Sequence, residues 1–477
     1  MGRIDPGAFD FEGGNVDPIG GGGGGVLDGG GGGVDPIGGG GTGGTGGSGG
    51  TGGSGGTGGP ISAPNTAIMA DLQLDEGGNL VIAYGQHLVA GHLVQYEYAA
   101  GPPPASKFVC ALGEGEWDSV VKAYYAGEEI SSSPDGTTAG YHFHPGTLST
   151  GISDPVQGED SFFTSPPTYS GTAYVAVLLD KDQSVEERPD KFRGVFHCLK
   201  VADYDSSGTE TDAGSWSANP ARVAADLLKR AGLLSLINWT SWAAWRDYCD
   251  VTITWGSNSI ARFECHLALI SPTDLVAALS LVCQTSCTFW QDTGTGISFL
   301  LPITTADLVA GSEEITFTEA NCRNVTLVAN DRRALPTGYI ARFRDLDDPY
   351  MGEVTVEVYD DTLETASGGQ TRVELALPPM NRSQAERICY WLLQLDGVYN
   401  TDVELTGFGD SAHVIPGDLV ILDHEVIQDP NDPQPSWLLV TETEDIPEES
   451  GPSIRRIRGR ILTAGLYSDT SHTAPPA

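Results

Sequence analysis

Residues 13–59 hold 29 of the chain's 64 glycines. VDPIGGGG occurs at Val16 and again at Val34, and six Thr/Ser-Gly-Gly triplets run from Thr42 to Gly59. Glycine loses more backbone freedom on ordering than any other residue, and this tract has almost nothing to bury in return. Residues 1–67 are therefore expected as a flexible arm. Only three short apolar clusters, at 16–19, 26–27 and 34–37, could anchor it. The other 430 residues carry an ordinary share of glycine. They are the part that can build cores, and the 477-residue length suggests roughly two to four domains.

Residues 68–201 read as a β-rich unit. NLVIAYG, HLVQYEYA, KFVCALG, KAYYAG and TAYVAVLL are rich in Val, Tyr and Phe at strand lengths, with Gly, Pro and Asp turns between them. That spacing suits a barrel or sandwich. The polar stretch 202–215, ADYDSSGTETDAGS, is expected as an acidic linker. Residues 216–310 read as a small α+β unit. Asn219-Pro220 supplies an N-cap and a Pro at the first helical position; Val223, Leu227 and Leu228 then share a face, and Gly232 is the stop. Ser271-Pro272 is expected to start a second helix, with Asp274 in its first turn and Leu275, Leu279, Val282 and Cys283 on its apolar face. ARFECHLAL and GISFLLP flank that helix as strands.

Residues 311–470 return to strands: NVTLVAN, YIARFRD, GEVTVEVYD, and then DLVILDHEVI, SWLLVTETED and IRGRILTAGL. A helix over 382–395 interrupts them. Asn381 and Gln384 stand at capping-box spacing, Ala385, Ile388, Leu392 and Leu395 keep the helical period, and Gly397 ends it. Residues 471–477 are a short tail. The expected class is α+β, mainly β, in the order β-rich, α+β, β-rich.

The formal net charge of −39, from 64 acidic and 25 basic residues, excludes bulk phosphate binding, which needs Lys and Arg to displace counterions. Two readings remain: solubility, or a surface that must repel DNA passing close by. MGRIDPGAFDFEGG contains no apolar h-region, so no secretory signal is expected, and no run of 18 apolar residues calls for a membrane span. Eight scattered cysteines, Cys110 to Cys389, are expected as free thiols in a reducing cytosol.

Several segments, taken in order, resemble the tip attachment (host-specificity) family of lambda-like siphophages over roughly residues 75–470. They are NLVIAYGQHLVAGHLV, with Tyr84 and Gly85; KFVCALGEGEWDSVVKAYYAGEEI, with Gly113, Glu114, Gly115 and Glu116; YHFHPG; SGTAYVAVLL; ANPARVAADLLKRAGL, with Asn219, Pro220 and Ala221; GYIARFRDLDDPYM, with Asp345 and Tyr350; RSQAERICYWLL, with Gln384 and Ala385; and VIPGDLVIL, with Pro416, Gly417 and Asp418. The resemblance implies a hub fold of two β-barrel domains with helix-containing insertions. It implies a homotrimer whose six barrels continue a sixfold tail tube. The partners implied are the distal tail protein ring, the tape-measure protein and other tail-tip or fiber proteins. Phage DNA would pass without specific binding, and the host envelope would be met only indirectly. The place implied is the distal end of a virion tail assembled in the host cytoplasm. Larger relatives continue into fibronectin-like domains and a receptor-binding end, whereas this chain stops at Ala477, so a separate fiber or tip protein is expected to bind the receptor. In such an assembly the Gly-rich arm is either free or threaded between neighbouring subunits, with the VDPI clusters docked on them.

No residue set nominates an enzyme, a metal site or a cofactor. His142 and His144 share a strand face, but no acidic or Cys pair completes four ligands, so they are expected packed or at the surface. Cys283 and Cys287 are expected as small buried hydrophobes. Trp239, Trp242 and Trp245 at i, i+3 and i+6 are expected in a core or subunit interface, with sugar stacking as the alternative. The carboxylates are too many to single out a glycosidase pair. G-x-S-x-G, H-E-x-x-H and P-loop patterns are absent from the sequence. A receptor-binding tip protein and a tail-associated cell-wall hydrolase stand as the competing functions.

Overall fold

The computed structural model describes residues 80–99, 105–132, 140–147, 170–179, 192–270, 273–308, 315–329, 333, 335–348, 350–399, 401–427, 436–446 and 454–473. The Gly-rich arm, Ser271-Pro272 and residues 474–477 lie outside the described residues.

The Val- and aromatic-rich runs at the start form two sheets. Their strands are β1 (Gln86–Val89), β2 (His92–Ala99), β3 (Ala105–Glu114), β4 (Trp117–Tyr125), β5 (Gly140–His144), β6 (Thr172–Leu179), β7 (Phe192–Tyr204) and β8 (Glu210–Trp216). One sheet runs β2-β3-β6-β5. In the other, β7 pairs with β8, β4 and β1. Period-2 alternation puts Phe108, Cys110 and Leu112 of β3 and Val175, Val177 and Leu179 of β6 into a shared core with Trp117, Phe192 and Phe196. The Trp117 and Phe196 rings meet edge to face at 5.7 Å.

Residues 202–215 are not a linker: β7 continues to Tyr204, turns, and returns as β8. The turn is built by Asp205, whose carboxylate accepts from the Ser207 N–H and hydroxyl and from the Thr209 N–H. β8 is a largely exposed edge strand. It therefore needs backbone pairing rather than apolar side chains, and its polar composition masked it.

The helical unit holds α1 (Pro220–Arg230), α2 (Trp239–Asp250), the hairpin β9 (Thr252–Trp255) and β10 (Asn258–Ala261), α3 (Leu275–Thr285), and the hairpin β11 (Phe289–Asp292) and β12 (Ile297–Leu300). Asn219 caps α1 by accepting from the Ala221 N–H, and Gly232, at φ +74°, ends it. Asp274 is the N-cap of α3. The expected strand ARFECHLAL is broken. Only Ala261 and Ala268–Leu269 lie in ladders, and residues 262–267 form an extended connection with Phe263, Cys265 and Leu267 buried.

The remaining elements are β13 (Thr316–Thr318), β14 (Cys322–Ala329), β15 (Gly338–Arg344), β16 (Glu353–Tyr359), α4 (Asp361–Ser367), β17 (Arg372–Ala376), α5 (Arg382–Leu393), β18 (Thr401–Gly407), β19 (Leu419–Asp423), β20 (Ser436–Ile446) and β21 (Ile454–Leu462). A six-stranded sheet runs β13-β19-β20-β21-β18-β14. Its two edge strands are consecutive in the chain and joined by residues 319–321 alone. The sheet must therefore curl until those edges nearly meet, giving a half-barrel around Phe317, Val403, Leu405, Val420, Leu438 and Ile457. A second, three-stranded sheet, β16-β15-β17, lies under α5. Helices α1, α2, α3 and α5 and this sheet share one continuous core. The predicted helix 382–395 gives way after Leu393 to a π-helical turn, Gln394–Val398. Gly397 is required there, since a Cβ would sit 2.6 Å from the Pro336 carbonyl. The chain is thus mainly β with a helical middle. Among the described residues, no helix is long and apolar enough to cross a membrane.

Candidate functional site: the seam between the first sheets and the helical unit

The first two resemblance segments fold toward the fifth, which forms α1. Ile82–Ala83 pairs with Ala268–Leu269, and the Tyr84 N–H donates to the Leu267 carbonyl. The Tyr84 hydroxyl donates to Asp226 on α1 at 2.8 Å. Asp226 also pairs with Arg230, whose other arm reaches Glu114 at 2.7 Å. Glu116 pairs with Lys200 of β7. These charged partners are partly exposed and each contributes about 1 kcal/mol or less, so they fix orientation more than stability. Gly113 leaves room for the Trp117 ring, which a Cβ would approach to 2.4 Å, and Gly115 turns the chain at φ +84°. Behind Asn219, its side-chain amide donates to the Arg246 carbonyl and to Asp250, and the Trp242 indole donates to the Ala221 carbonyl. Tyr84, Glu114 and the second half of α1 therefore belong to one seam.

At its centre lies a set of groups that no sequence spacing reveals. Gly85 sits at φ +74°, and a Cβ there would lie 2.5 Å from Nδ1 of His266. This gap lets the Gln86 N–H donate to His266 Nδ1 at 2.8 Å. Because Nδ1 accepts, the ring proton sits on Nε2. Nε2 is buried without a hydrogen-bond partner and lies 3.6 Å from the Glu264 carboxylate. Burial would push the Glu264 pKa up, but the neighbouring His266 outweighs it and the net direction is down. His87, also buried, points Nε2 at the Tyr84 carbonyl; burial lowers its pKa to about 3. His197 stacks on Trp216 at 4.0 Å, with Nδ1 3.3 Å from Ser119, whose hydroxyl donates to Asp118. The cue that sequence offered was Tyr84-Gly85, a left-handed turn between strands; His197, Glu264 and His266 carried no motif.

The acidic turn after β15 closes the seam from the other side. Asp345 bridges to Met380 and accepts from the Asp347 N–H, and burial raises its pKa. Met351, at φ +48°, is buried against Leu88, Tyr124 and Val195 of the first unit. The Tyr350 ring packs tilted against Tyr124 at 5.3 Å and stays largely exposed. Gln384 makes half of the expected capping box. Its N–H donates to Asn381, but its side chain, fully buried, bonds Glu264 and the Thr285 carbonyl rather than returning to the cap. Ala385 is buried beside it. Pro416, Gly417 and Asp418 belong to a separate turn on the six-stranded sheet. There Asp418 accepts from the Ile415 N–H and Gly417, at φ +99°, donates to the Val440 carbonyl.

His144 stacks on Tyr174 at 4.5 Å, and His142 lies two residues away on β5. No group of three His, Cys, Asp or Glu poised for a metal occurs among the described residues. Cys283 and Cys287 are buried free thiols whose pKa burial raises. Trp242 and Trp245 are fully buried, with indole N–H groups donating to Ala221 and Ser286. Trp239 packs edge-on to Trp242, and Gly208 lies against its indole so closely that a Cβ would come within 2.2 Å. Trp242 and Trp245 are core, and Trp239 is half-buried against them.

No family model matches the sequence, and no curated protein matches it. Among solved structures, the chain superposes on a chain from the virion of a native gene transfer agent particle with a TM-score of 0.59. That match has 16% identity and covers 87% of this chain and 91% of that one. The 43 kDa tail protein of prophage MuSo2 from Shewanella oneidensis gives a TM-score of 0.32 at 11% identity, covering 83% and 99% of the two chains. A tail protein from Neisseria meningitidis MC58 gives 0.33 at 8% identity, covering 80% and 96%. The first of these shows a shared fold. Because it spans both chains almost end to end, the shared fold takes in the first sheets, the helical unit and the half-barrel together.

Proposed function

We propose that this chain is a structural subunit of a phage-like tail: the hub that closes the distal end of the tail tube. The observation that carries this reading is the shared fold with a virion chain over about nine-tenths of both proteins. The ordered resemblance to lambda-like tip attachment proteins points the same way. In this reading three copies form the hub, and the half-barrel and the first pair of sheets supply the two barrel-like modules of each copy. The hub seats on the distal tail protein ring, holds the end of the tape-measure protein, contacts other tip or fiber proteins and passes DNA during infection. The excess of 64 acidic over 25 basic residues would keep phosphates from adhering to the channel.

The test is the assembled particle. Electron microscopy of tails carrying this chain should show a threefold ring at the distal end. The purified chain should weigh three times its 50.1 kDa by light scattering. A particle position away from the tip, or a channel lined mostly by Lys and Arg, would overturn the hub reading.

A further inference from the structure

The seam contains a hydrogen bond that an imidazole can make in only one protonation state. The Gln86 N–H donates to Nδ1 of His266 at 2.8 Å, and His266 is 2% exposed. Gln86 belongs to β1, while His266 belongs to the 262–267 connection of the helical unit. This bond therefore joins two parts of the fold, beside the short pairing of Ile82–Ala83 with Ala268–Leu269, the Tyr84 N–H to Leu267 bond, and the Tyr84–Asp226 and Glu114–Arg230 contacts. Gly85 packs against the same ring, where a Cβ would lie 2.5 Å from Nδ1.

We infer that His266 is a proton-operated latch: protonation transfers its ring from strand β1 to Glu264 and opens the seam between the first sheets and the helical unit. A proton on Nδ1 turns an acceptor into a donor, and two N–H groups then face each other across 2.8 Å. On the opposite edge of the ring, Nε2 already points at Glu264, 3.6 Å away on the same connection. An imidazolium would be drawn toward that carboxylate. Both consequences act in one direction: the ring binds its own segment more tightly and releases the neighbouring strand.

The charges around the ring fit this assignment. The titratable groups around the ring are His87 on β1, His197 with Asp118 behind it on the first sheet, and Glu264 on its own segment; Asp347 of the acidic turn lies next to Glu264. Arg344 of β15 lies beyond His87. Glu264, on the helical side, attracts the imidazolium; His87, on the β1 side, is neutral because burial lowers its pKa to about 3, and gives it no support. The latch does not rest on the tail-hub reading.

The experiment is hydrogen–deuterium exchange of the full chain at pH 7.5 and 5.0, corrected for intrinsic rates. The amides of Gln86–Val89 and of residues 264–268 should lose protection at least tenfold at pH 5.0, while β18 and β21 keep theirs. In His266→Gln the side-chain oxygen can still accept from Gln86 but cannot take a proton, so the pH-dependent loss should vanish. An equal loss in wild type and H266Q, or no loss in wild type, would overturn the latch. Should H266Q not fold, NMR of histidine-labelled wild type decides: the Gln86 amide shift must follow the titration of the His266 ring with the same midpoint, and independent midpoints would sink the idea.

Discussion

A buried charge can be satisfied without a carboxylate, and Arg387 is the case in this protein. It is fully buried on α5 and donates to the Ser383 and Tyr467 hydroxyls and to the Arg262 carbonyl. Its guanidinium lies 4.9 Å over the Phe263 ring. Tyr467 in turn donates to Asp469, which forms a two-pronged pair with Arg262. The C-terminal residues thereby tie the helical unit to α5. Removing one acceptor strands a buried donor, which costs more than the bond itself contributes. Tyr467→Phe is expected to destabilise the chain by about 1 to 3 kcal/mol, measured as a lowered midpoint in urea with an unchanged slope. The same reasoning explains why Arg387 escaped the sequence reading. It lies off the apolar period of the helix, and two of its three partners come from 80 and 125 residues away.

Elements were legible wherever a local rule sufficed. Asn219-Pro220 announced α1 because capping and the Pro at the first helical position are decided within four residues. The Val- and Tyr-rich strands announced themselves by composition. β8 and α4 were not legible: β8 is a largely exposed polar strand that pairs through its backbone, and α4 is a seven-residue helix with no buried residue. The seam was less legible still, since Gly85, His197, Glu264 and Asp347 meet only once four separate elements are in place. The π-helical turn after α5 was also unforeseen, and it carries a titrating group. Asp396 there accepts from the Tyr339 hydroxyl at 2.6 Å and lies 3.8 Å from Arg460, yet burial raises its pKa to about 6. A carboxyl with a raised folded-state pKa holds its proton more tightly folded than unfolded. Its ionised form therefore penalises the fold above pH 6, and that penalty is relieved as pH falls through 6 toward 4. Asp396→Asn, which keeps an acceptor for Tyr339, should remove this term. Relative to wild type it should gain about 1 to 2 kcal/mol at pH 7.5 and nothing at pH 4, read from thermal midpoints across that range. A variant equally shifted at both pH values would rule the titration out.

At the scale of the whole molecule the units are sewn together by a few long-range contacts. Met351 seats in the first unit, Gln384 bonds two strangers in sequence, and the chain's end returns to α5. The half-barrel adds one more such contact, and it bears on the order of events in time. β13 pairs in parallel with β19, so Thr316 must find Ile421, whereas β14 pairs with β18 and β18 with β21 without needing β13 at all. Pairings between distant residues form slowly because the intervening loop must first lose its freedom. Pulse-labelled exchange during refolding should therefore find the amides of β18, β20 and β21 protected before those of β13. The three residues 319–321, which hold the two edges of the sheet together in the finished protein, would then spend most of the folding time as a hinge between a strand already placed and one still waiting for its partner to be made.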